Sequence, residues 1–561
     1  MTTPTLPPLE HDTLAEILLA RADDDAPALL FEDSRWTYRE LLQEAAVRSA
    51  LLQQLRPEGR PWHVGVLMEN TPEYLFLVAG AALSGATIVG INPTRRGAEL
   101  AGDIRSTDVD TIIAGPEHLD LLDGLDHGAR QVLLAGTPAY DDLLAAHAGA
   151  PVVATEAALD PRTQLLLLFT SGSTGAPKAV VCSTGRMAIV ILLNPLVLER
   201  DDVAYNAMPM FHGNALMASW GPCLRNGATF ATRRRFSASG FLPDVQRFGA
   251  TYVNYVGRSL AYVLAQPERP EERDNRLRIA FGTEASARDR EEFERRFGCR
   301  VVESYGSSEG VLAIRPVEGT PPGSLGLPQV GYVAEVVGAD GRVCPPARFS
   351  PDGRLLNPEE AIGELVSRGV ASRFEGYYRN PEASRERLRG EDYWTGDLAY
   401  RDEDGWFWFA GRTADWLRVD SENFAAAPVE RIISRHPDVA VAAVYAVPDP
   451  QTGDQVMATL QVAVDPDDFD VAGFGAFLDA QPDLGTKWAP RFVRLTRDLP
   501  TTATRKVDKP TLRRRLWFGD DPVWERVDGR YQRLTDARSG ELIAHFDQHG
   551  RTHLLPASTS S

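Results

Sequence analysis

The stretch Leu165-Leu-Leu-Leu-Phe-Thr-Ser-Gly-Ser-Thr-Gly-Ala-Pro-Lys178 runs from an apolar segment into a loop of hydroxyls and glycines, and it ends on a lysine. A short apolar run leading into such a loop reads as a buried strand. The glycines let the backbone turn tightly and bring its N–H groups toward phosphate oxygens. The hydroxyls add donors and the lysine adds charge. It is not the GxxxxGK[ST] phosphate loop, because Pro177 and Ala179 stand where that pattern needs glycine and a hydroxyl residue. A generic surface loop accounts for the composition, but not for a lysine directly after it.

The chain around this stretch alternates between two periods. Leu14 to Ala20 and Tyr38 to Leu55 carry apolar residues at helical spacing. Val64 to Met68, Thr87 to Ile91 and Thr111 to Ala114 read as strands, with Pro72 to Ser84 and Arg96 to Ser106 as helices between them. This alternation predicts a parallel sheet with helices on both faces. From about Gly323 the strands shorten and the Asp340-Gly341 and Asp404-Gly405 pairs predict hairpin turns. After Trp416 a mixed pattern returns, with a helix around Val429 to His436 and strands around Val439 to Ala446 and Met457 to Val464. The expected fold is α/β: a large N-terminal domain of parallel-rich sheets flanked by helices with a β-rich subdomain, over residues 1–414. A small mobile α+β C-terminal domain follows over 415–561.

At 561 residues the chain is too long for one hydrophobic core. A formal net charge of -19 argues against a nucleic-acid partner, whose binding needs a basic footprint. The four cysteines, Cys182, Cys223, Cys299 and Cys344, have no CxxC spacing and are too few for a disulfide scaffold. A reducing cytoplasm suits them best. The start, Met1 to Asp12, lacks the basic-then-apolar pattern of a signal peptide. The apolar stretches Tyr74 to Ile91 and Met187 to Leu198 read as core elements rather than membrane spans.

Other short segments occur in a fixed order along the chain. They are Met208-Pro-Met-Phe-His-Gly-Asn214, Glu303-Ser-Tyr-Gly-Ser-Ser-Glu309, Tyr393-Trp-Thr-Gly-Asp397, Gly411-Arg-Thr-Ala-Asp415, and Lys506 at the end of Leu499-Pro-Thr-Thr-Ala-Thr-Arg-Lys506. Taken singly they are weak: an aspartate in a TGD triplet is usually a turn residue, and a lone tyrosine is usually core. Together with the Thr170 to Lys178 loop, they make the chain resemble the adenylate-forming superfamily, which includes acyl- and aryl-CoA synthetases, peptide-synthetase adenylation domains and luciferases. The resemblance covers nearly the whole chain.

The resemblance implies a site, residue by residue. Thr170, Ser171, Gly172, Ser173, Thr174, Gly175 and Lys178 engage the phosphates of ATP. Tyr305 stacks on adenine, with Gly282, Thr283 and Glu284 on its other side and Glu303, Ser304 and Gly306 around it. Glu309 holds Mg2+ beside Ser308, which replaces the family's usual threonine and keeps a hydroxyl. Asp397 accepts the ribose hydroxyls, with Arg412 nearby. Lys506 bridges the incoming carboxylate and the α-phosphate, as suits a compact movable charge, and Lys509 is its rival by position. Met208, His212, Asn214, Val256, Gly257, Arg258 and Val311 line the acyl pocket, and His212 is also a candidate catalytic residue. The small domain swings about Asp415 between the two half-reactions. Because the reaction gathers negative charge on phosphoryl oxygens, such a site works by positioning and electrostatic stabilisation.

Further stretches narrow the branch. Phe236 to Phe241, Thr251 to Arg258, Ala261 to Pro267 and Asp521 to Leu534 resemble the fatty-acid transport protein and very-long-chain acyl-CoA synthetase branch. Gly411 to Asp420 and Glu422 to Phe424 resemble bacterial fatty-acid–CoA ligases. Three positions depart from the pattern: Ser421 and Arg505 replace glycines, and Arg258 replaces an acidic residue. The expected activity is activation of a carboxylic acid by ATP to acyl-AMP, then transfer to coenzyme A. Ser421 and Arg505 keep a second reading open, with an amine, a carrier protein, or nitrite in diazotisation as acceptor. A third reading, a binding or transport protein without turnover, is opposed by the intact set Lys178, Glu309, Asp397, Arg412 and Lys506. The sequence shows no spanning segment, leaves peripheral membrane contact open, and carries no signal for the acid or the oligomeric state.

Overall fold

A computed structural model describes residues 9–556 except 171–177, 195, 257–258, 284, 286, 352–354, 413–415, 420–421, 452–453, 482–483, 486 and 503–505. Its contacts divide the chain into two units. The first comprises Met1–Pro316, Pro328–Val333 and Gly369–Tyr393; the second comprises Val317–Leu327, Ala334–Arg368 and Trp394–Ser561.

Two large sheets lie in the first unit. One runs in the order Gln131–Leu134, Thr111–Ala114, His63–Leu67, Thr87–Gly90, Gln164–Thr170, Lys178–Ser183. The other runs Arg300–Glu303, Ile279–Thr283, Tyr252–Val256, Val203–Asn206, Thr229–Thr232, Pro27–Phe31, Ser34–Thr37. Neighbouring strands are parallel except at one edge of each, where Lys178–Ser183 and Ser34–Thr37 pair antiparallel. The expected parallel architecture is present, and these two hairpin edges are added to it. The strands His63–Leu67, Thr87–Gly90 and Thr111–Ala114 are buried throughout, as a sheet covered on both faces requires.

Helix Tyr38–Gln54 starts on a capping box, in which the Thr37 hydroxyl accepts the Glu40 N–H and the Glu40 carboxylate takes the Thr37 N–H. Helix Pro72–Ser84 starts on a proline and ends at Gly85, whose φ of 85° is the left-handed stop glycine allows. The two helices pack closely at Gly80, where a Cβ would lie 2.8 Å from the Cβ of Arg48. Arg48 crosses the same contact and pairs with Glu73.

In the second unit a sheet of Ala334–Val337, Gly363–Ser367, Asp392–Arg401 and Phe407–Arg412 leads into a mixed sheet. That sheet has the order Val439–Pro448, Asp454–Val462, Phe492–Thr496, Val523–Val527, Arg530–Arg533. Helices Ala426–Ile433 and Val471–Asp479 bury Val429, Ile433, Phe474 and Leu478 against one face of it. Helices Lys509–Arg515 and Asp536–Gln548 bury Leu512, Leu542 and Phe546 in a second cluster with Tyr445 and Phe492. Each such side chain contributes about 1.5–3 kcal/mol on burial. All four cysteines are free. Among the described residues no helix is long and apolar enough to cross a membrane.

Candidate active site

Thr170 and Lys178 are cross-strand partners at the end of the antiparallel ladder. The loop between them, with Ser171, Gly172, Ser173, Thr174 and Gly175, lies outside the described residues. The Thr170 hydroxyl donates to the Lys178 carbonyl at 3.4 Å. The Lys178 side chain is only 7 % exposed, with its ammonium 3.7 Å from Glu386 and over the ring of Tyr377 at 5.4 Å. The lysine is therefore set by strand register, and a one-residue slip would turn it to the other face.

Tyr377 also reaches Glu309. Its hydroxyl donates to Glu309 Oε1 at 2.7 Å and lies 3.3 Å from the Tyr393 hydroxyl. Burial, and then the Glu309 charge, push the Tyr377 phenol well above its ordinary value, so it stays protonated and remains a donor. Glu309 is 9 % exposed. Among the described residues no three His, Cys, Asp or Glu side chains cluster as metal ligands. One buried carboxylate suits Mg2+, which takes one or two protein carboxylates together with substrate phosphates and water. The Ser308 carbonyl accepts from Arg186, a buried guanidinium that also donates to Val181 O and pairs with Glu375.

The segment expected around adenine comes together at the edge of the second sheet. Ile279–Thr283 lies between Tyr252–Val256 and Arg300–Glu303. Gly282 has a packing reason to be glycine: a Cβ there would stand 2.2 Å from the Tyr255 carbonyl oxygen and 2.7 Å from its ring. Thr283 ends this strand, and the Ser304 N–H bonds the Gly282 carbonyl at 3.0 Å. Tyr305 and Gly306 pair with Ile314 and Ala313. The Glu303 carboxylate is engaged, accepting from the Tyr255 hydroxyl and, at 3.0 Å, from the Ala285 N–H. Glu284 lies outside the described residues.

The segment Met208 to Asn214 is pinned from two sides. Asn70 and Asn206 both donate to the Met208 carbonyl, at 3.0 and 2.8 Å, and Asn70 Oδ1 accepts the Met210 N–H. His212 precedes the short helix Gly213–Ala215, its ring against Phe211 at 4.5 Å. Asn214 takes a hydrogen bond from Asn254, a buried polar residue that the sequence did not single out. Met208, Asn254, Tyr255 and Ser259 border a small, mainly apolar cavity closed by Phe241 and Val263. Val256 ends the neighbouring strand and Val311 is fully buried. Gly257 and Arg258 lie outside the described residues. Arg315 was also missed: its guanidinium lies over Phe281 at 5.1 Å and donates to Asn194. Burial pulls its pKa down to about 10.

In the second unit Asp397 and Arg412 are opposite one another across an antiparallel pair. The backbone reaches this register through Gly396 and Gly411, at φ 75° and 118°. Lys506 stands beside the Thr501–Val507 bridge, where the Lys506 N–H bonds the Thr502 hydroxyl and the Thr502 N–H bonds the Lys506 carbonyl. Lys509 instead heads helix Lys509–Arg515 and pairs with Glu430 at 2.8 Å. Asp415, Ser421 and Arg505 lie outside the described residues.

Parallel-rich sheets flanked by helices, with a β-rich region and a mixed C-terminal sheet, are the architecture of adenylate-forming ligases. The chain belongs to the AMP-binding enzyme family, matching it over residues 19–378 and its C-terminal domain over 428–506. It is 51% identical over 556 residues to steroid-22-oyl-CoA synthetase of Rhodococcus jostii (strain RHA1), covering 98% of this chain and 99% of that one. It is 43% identical over 516 residues to the medium/long-chain-fatty-acid–CoA ligase FadD17 of Mycobacterium tuberculosis, covering 92% and 98%. In fold it is similar to a benzoate CoA ligase from Burkholderia xenovorans LB400, with TM-score 0.77 at 22% identity, covering 89% and 99% of the two chains.

Proposed function

We propose that the acid is a steroid bearing a short carboxylated side chain. The observation that carries this is the 51% identity to a steroid-22-oyl-CoA synthetase across 98% of the chain. The chain is an acyl-CoA ligase. The carboxylate oxygen attacks the α-phosphorus of ATP and pyrophosphate leaves; the thiol sulfur of coenzyme A then attacks the acyl carbon and AMP leaves. The non-CoA acceptor reading is set aside, because the relatives at 43–51% identity are CoA ligases.

The roles are those that the family resemblance implies. Thr170, Lys178 and the loop between them hold the phosphates, and the buried lysine places its charge there without needing to be ordered. Tyr305 stacks on adenine, and Asp397 takes the ribose hydroxyls opposite Arg412. Lys506 neutralises the carboxylate and α-phosphate as they meet. Glu309 would hold Mg2+, which supplies charge neutralisation on the phosphates. Asp415 serves as the pivot between half-reactions. Four unpaired cysteines suit a reducing compartment.

The test is pyrophosphate release over steroid, medium-chain, long-chain and aromatic acids, each with and without coenzyme A. Steroid acids should give the highest kcat/KM, with the matching thioester as product. A tenfold preference for a fatty acid would overturn the substrate assignment in favour of the chemistry of the 43% relative.

A further inference from the structure

Tyr377 stands between the two groups that the proposed site needs on opposite sides of the phosphates. Its hydroxyl donates to Glu309 Oε1 at 2.7 Å, and its ring face lies 5.4 Å from the Lys178 ammonium. Its backbone is tied to the strand that Lys178 begins. Tyr377 bridges Val180 antiparallel, the Val181 N–H bonds the Gly376 carbonyl at 3.1 Å, and the Tyr378 N–H bonds the Ala179 carbonyl at 2.8 Å. The ring is wedged edge-on against Phe374, which in turn packs edge-on against Tyr393. Ser384 fixes the Tyr377 N–H at 3.0 Å from helix Pro381–Arg387.

We propose that Tyr377 is a positioning residue for adenylation. Its hydroxyl fixes the Glu309 carboxylate by one oxygen so that the other is presented to the metal, and its ring sets the height of the Lys178 ammonium. This rests on the reading that Glu309 takes Mg2+ and Lys178 takes phosphate.

The physical reason is conformational. A glutamate side chain has several rotatable bonds, and its use as a metal ligand depends on which oxygen faces the ion. Partners that hold a ligating carboxylate by hydrogen bond change metal affinity by about 10–100-fold when removed. Tyr377 is suited to this task because its own backbone moves with the Lys178 strand, so the two phosphate-facing charges keep one spacing. Arg387 lies beside the Tyr377 hydroxyl and the Glu309 charge, and Glu386 pairs with Lys178. Helix Pro381–Arg387 thus supplies a counter-charge to each group before substrate arrives.

The experiment uses the full chain with Tyr377→Phe, Tyr377→Leu and Glu309→Gln. Mn2+ affinity is read by electron paramagnetic resonance in the presence of a non-hydrolysable ATP analogue. Melting temperature and thioester formation from supplied acyl-AMP serve as controls. Tyr377→Phe keeps the ring and should weaken Mn2+ binding about 10-fold, with adenylation recovered at saturating metal and thioester formation unchanged. Tyr377→Leu should in addition weaken the ATP analogue, and excess metal should not restore it. The double variant Tyr377→Phe/Glu309→Gln should lose no more Mn2+ affinity than Glu309→Gln alone. Wild-type Mn2+ affinity in Tyr377→Phe, with Glu309→Gln weakened, would overturn the tyrosine's role and leave the metal reading standing. Unchanged affinity in Glu309→Gln would overturn both.

Discussion

Two lysines three residues apart, Lys506 and Lys509, should fail in opposite ways when replaced by alanine. Lys509 pairs with Glu430 at 2.8 Å, with side chains 18% and 21% exposed. At an effective dielectric of about 20, that separation corresponds to a gross attraction of about 6 kcal/mol. Desolvation and side-chain ordering offset most of it, leaving about 1–2 kcal/mol. Glu430 keeps its bond from the Val444 N–H, so it is not left wholly unsatisfied. At about 2–4 °C per kcal/mol for a domain of this size, Lys509→Ala should melt the C-terminal unit several degrees lower. Its pyrophosphate release at 25 °C should stay within about twofold of wild type, a barrier change of about 0.4 kcal/mol, because the lost contact with Glu430 belongs to the folded state and not to the reacting atoms. Lys506→Ala should keep the melting temperature and lose about 10²–10³-fold in acid-dependent pyrophosphate release, as removal of a transition-state charge partner does. It should still form thioester from supplied acyl-AMP. Calorimetry and a coupled pyrophosphate assay on both variants decide the matter. A Lys509→Ala enzyme that melts normally but no longer adenylates would refute the reasoning.

Gly282→Ala should destabilise the first unit by about 3 kcal/mol, the upper end for overpacking, because the added carbon meets the Tyr255 backbone rather than a movable side chain. A melting curve that matches wild type would show that the strand pair has slack it is not expected to have. Glu525 predicts an acid limb. Burial raises its carboxyl, but hydrogen bonds from Arg538 and Arg491 outweigh this and hold it below the ordinary glutamate value. Its contribution to stability is therefore complete above the ordinary glutamate range and is lost as pH falls through the lowered folded value. Melting scans from neutral to acid pH should show Glu525→Gln with a flatter acid limb, and parallel limbs in both proteins would contradict the assignment.

Where local pattern decided structure, the sequence was easy to read. Helix Pro72–Ser84 has the proline and glycine that bound it, and strand Thr111–Ala114 is a short β-favouring run, Thr-Ile-Ile-Ala. Hairpin edges were harder: Ser34–Thr37 is short and polar, and the antiparallel turn of Lys178–Ser183 depends on what it pairs with. Contacts group Ala334–Arg368 with the second unit, because strand Gly363–Ser367 pairs with Asp392–Arg401 further along the chain, and such pairings between distant segments leave no local signal. The motif residues were visible because each carries its own chemistry. Tyr377 was not, since its partner Glu309 lies 68 positions away and a tyrosine in Gly-Tyr-Tyr has no local reason to stand out. Asn254 and Arg315 were hidden for the same reason, as their meaning lies in Asn214 and Asn194.

The ladder that ends on Thr170 and Lys178 also sets where this enzyme tolerates change in length. One residue gained or lost inside Gln164–Thr170 or Lys178–Ser183 would reverse the side-chain alternation and point the lysine away from its tyrosine. The two strands thus admit substitution but not insertion.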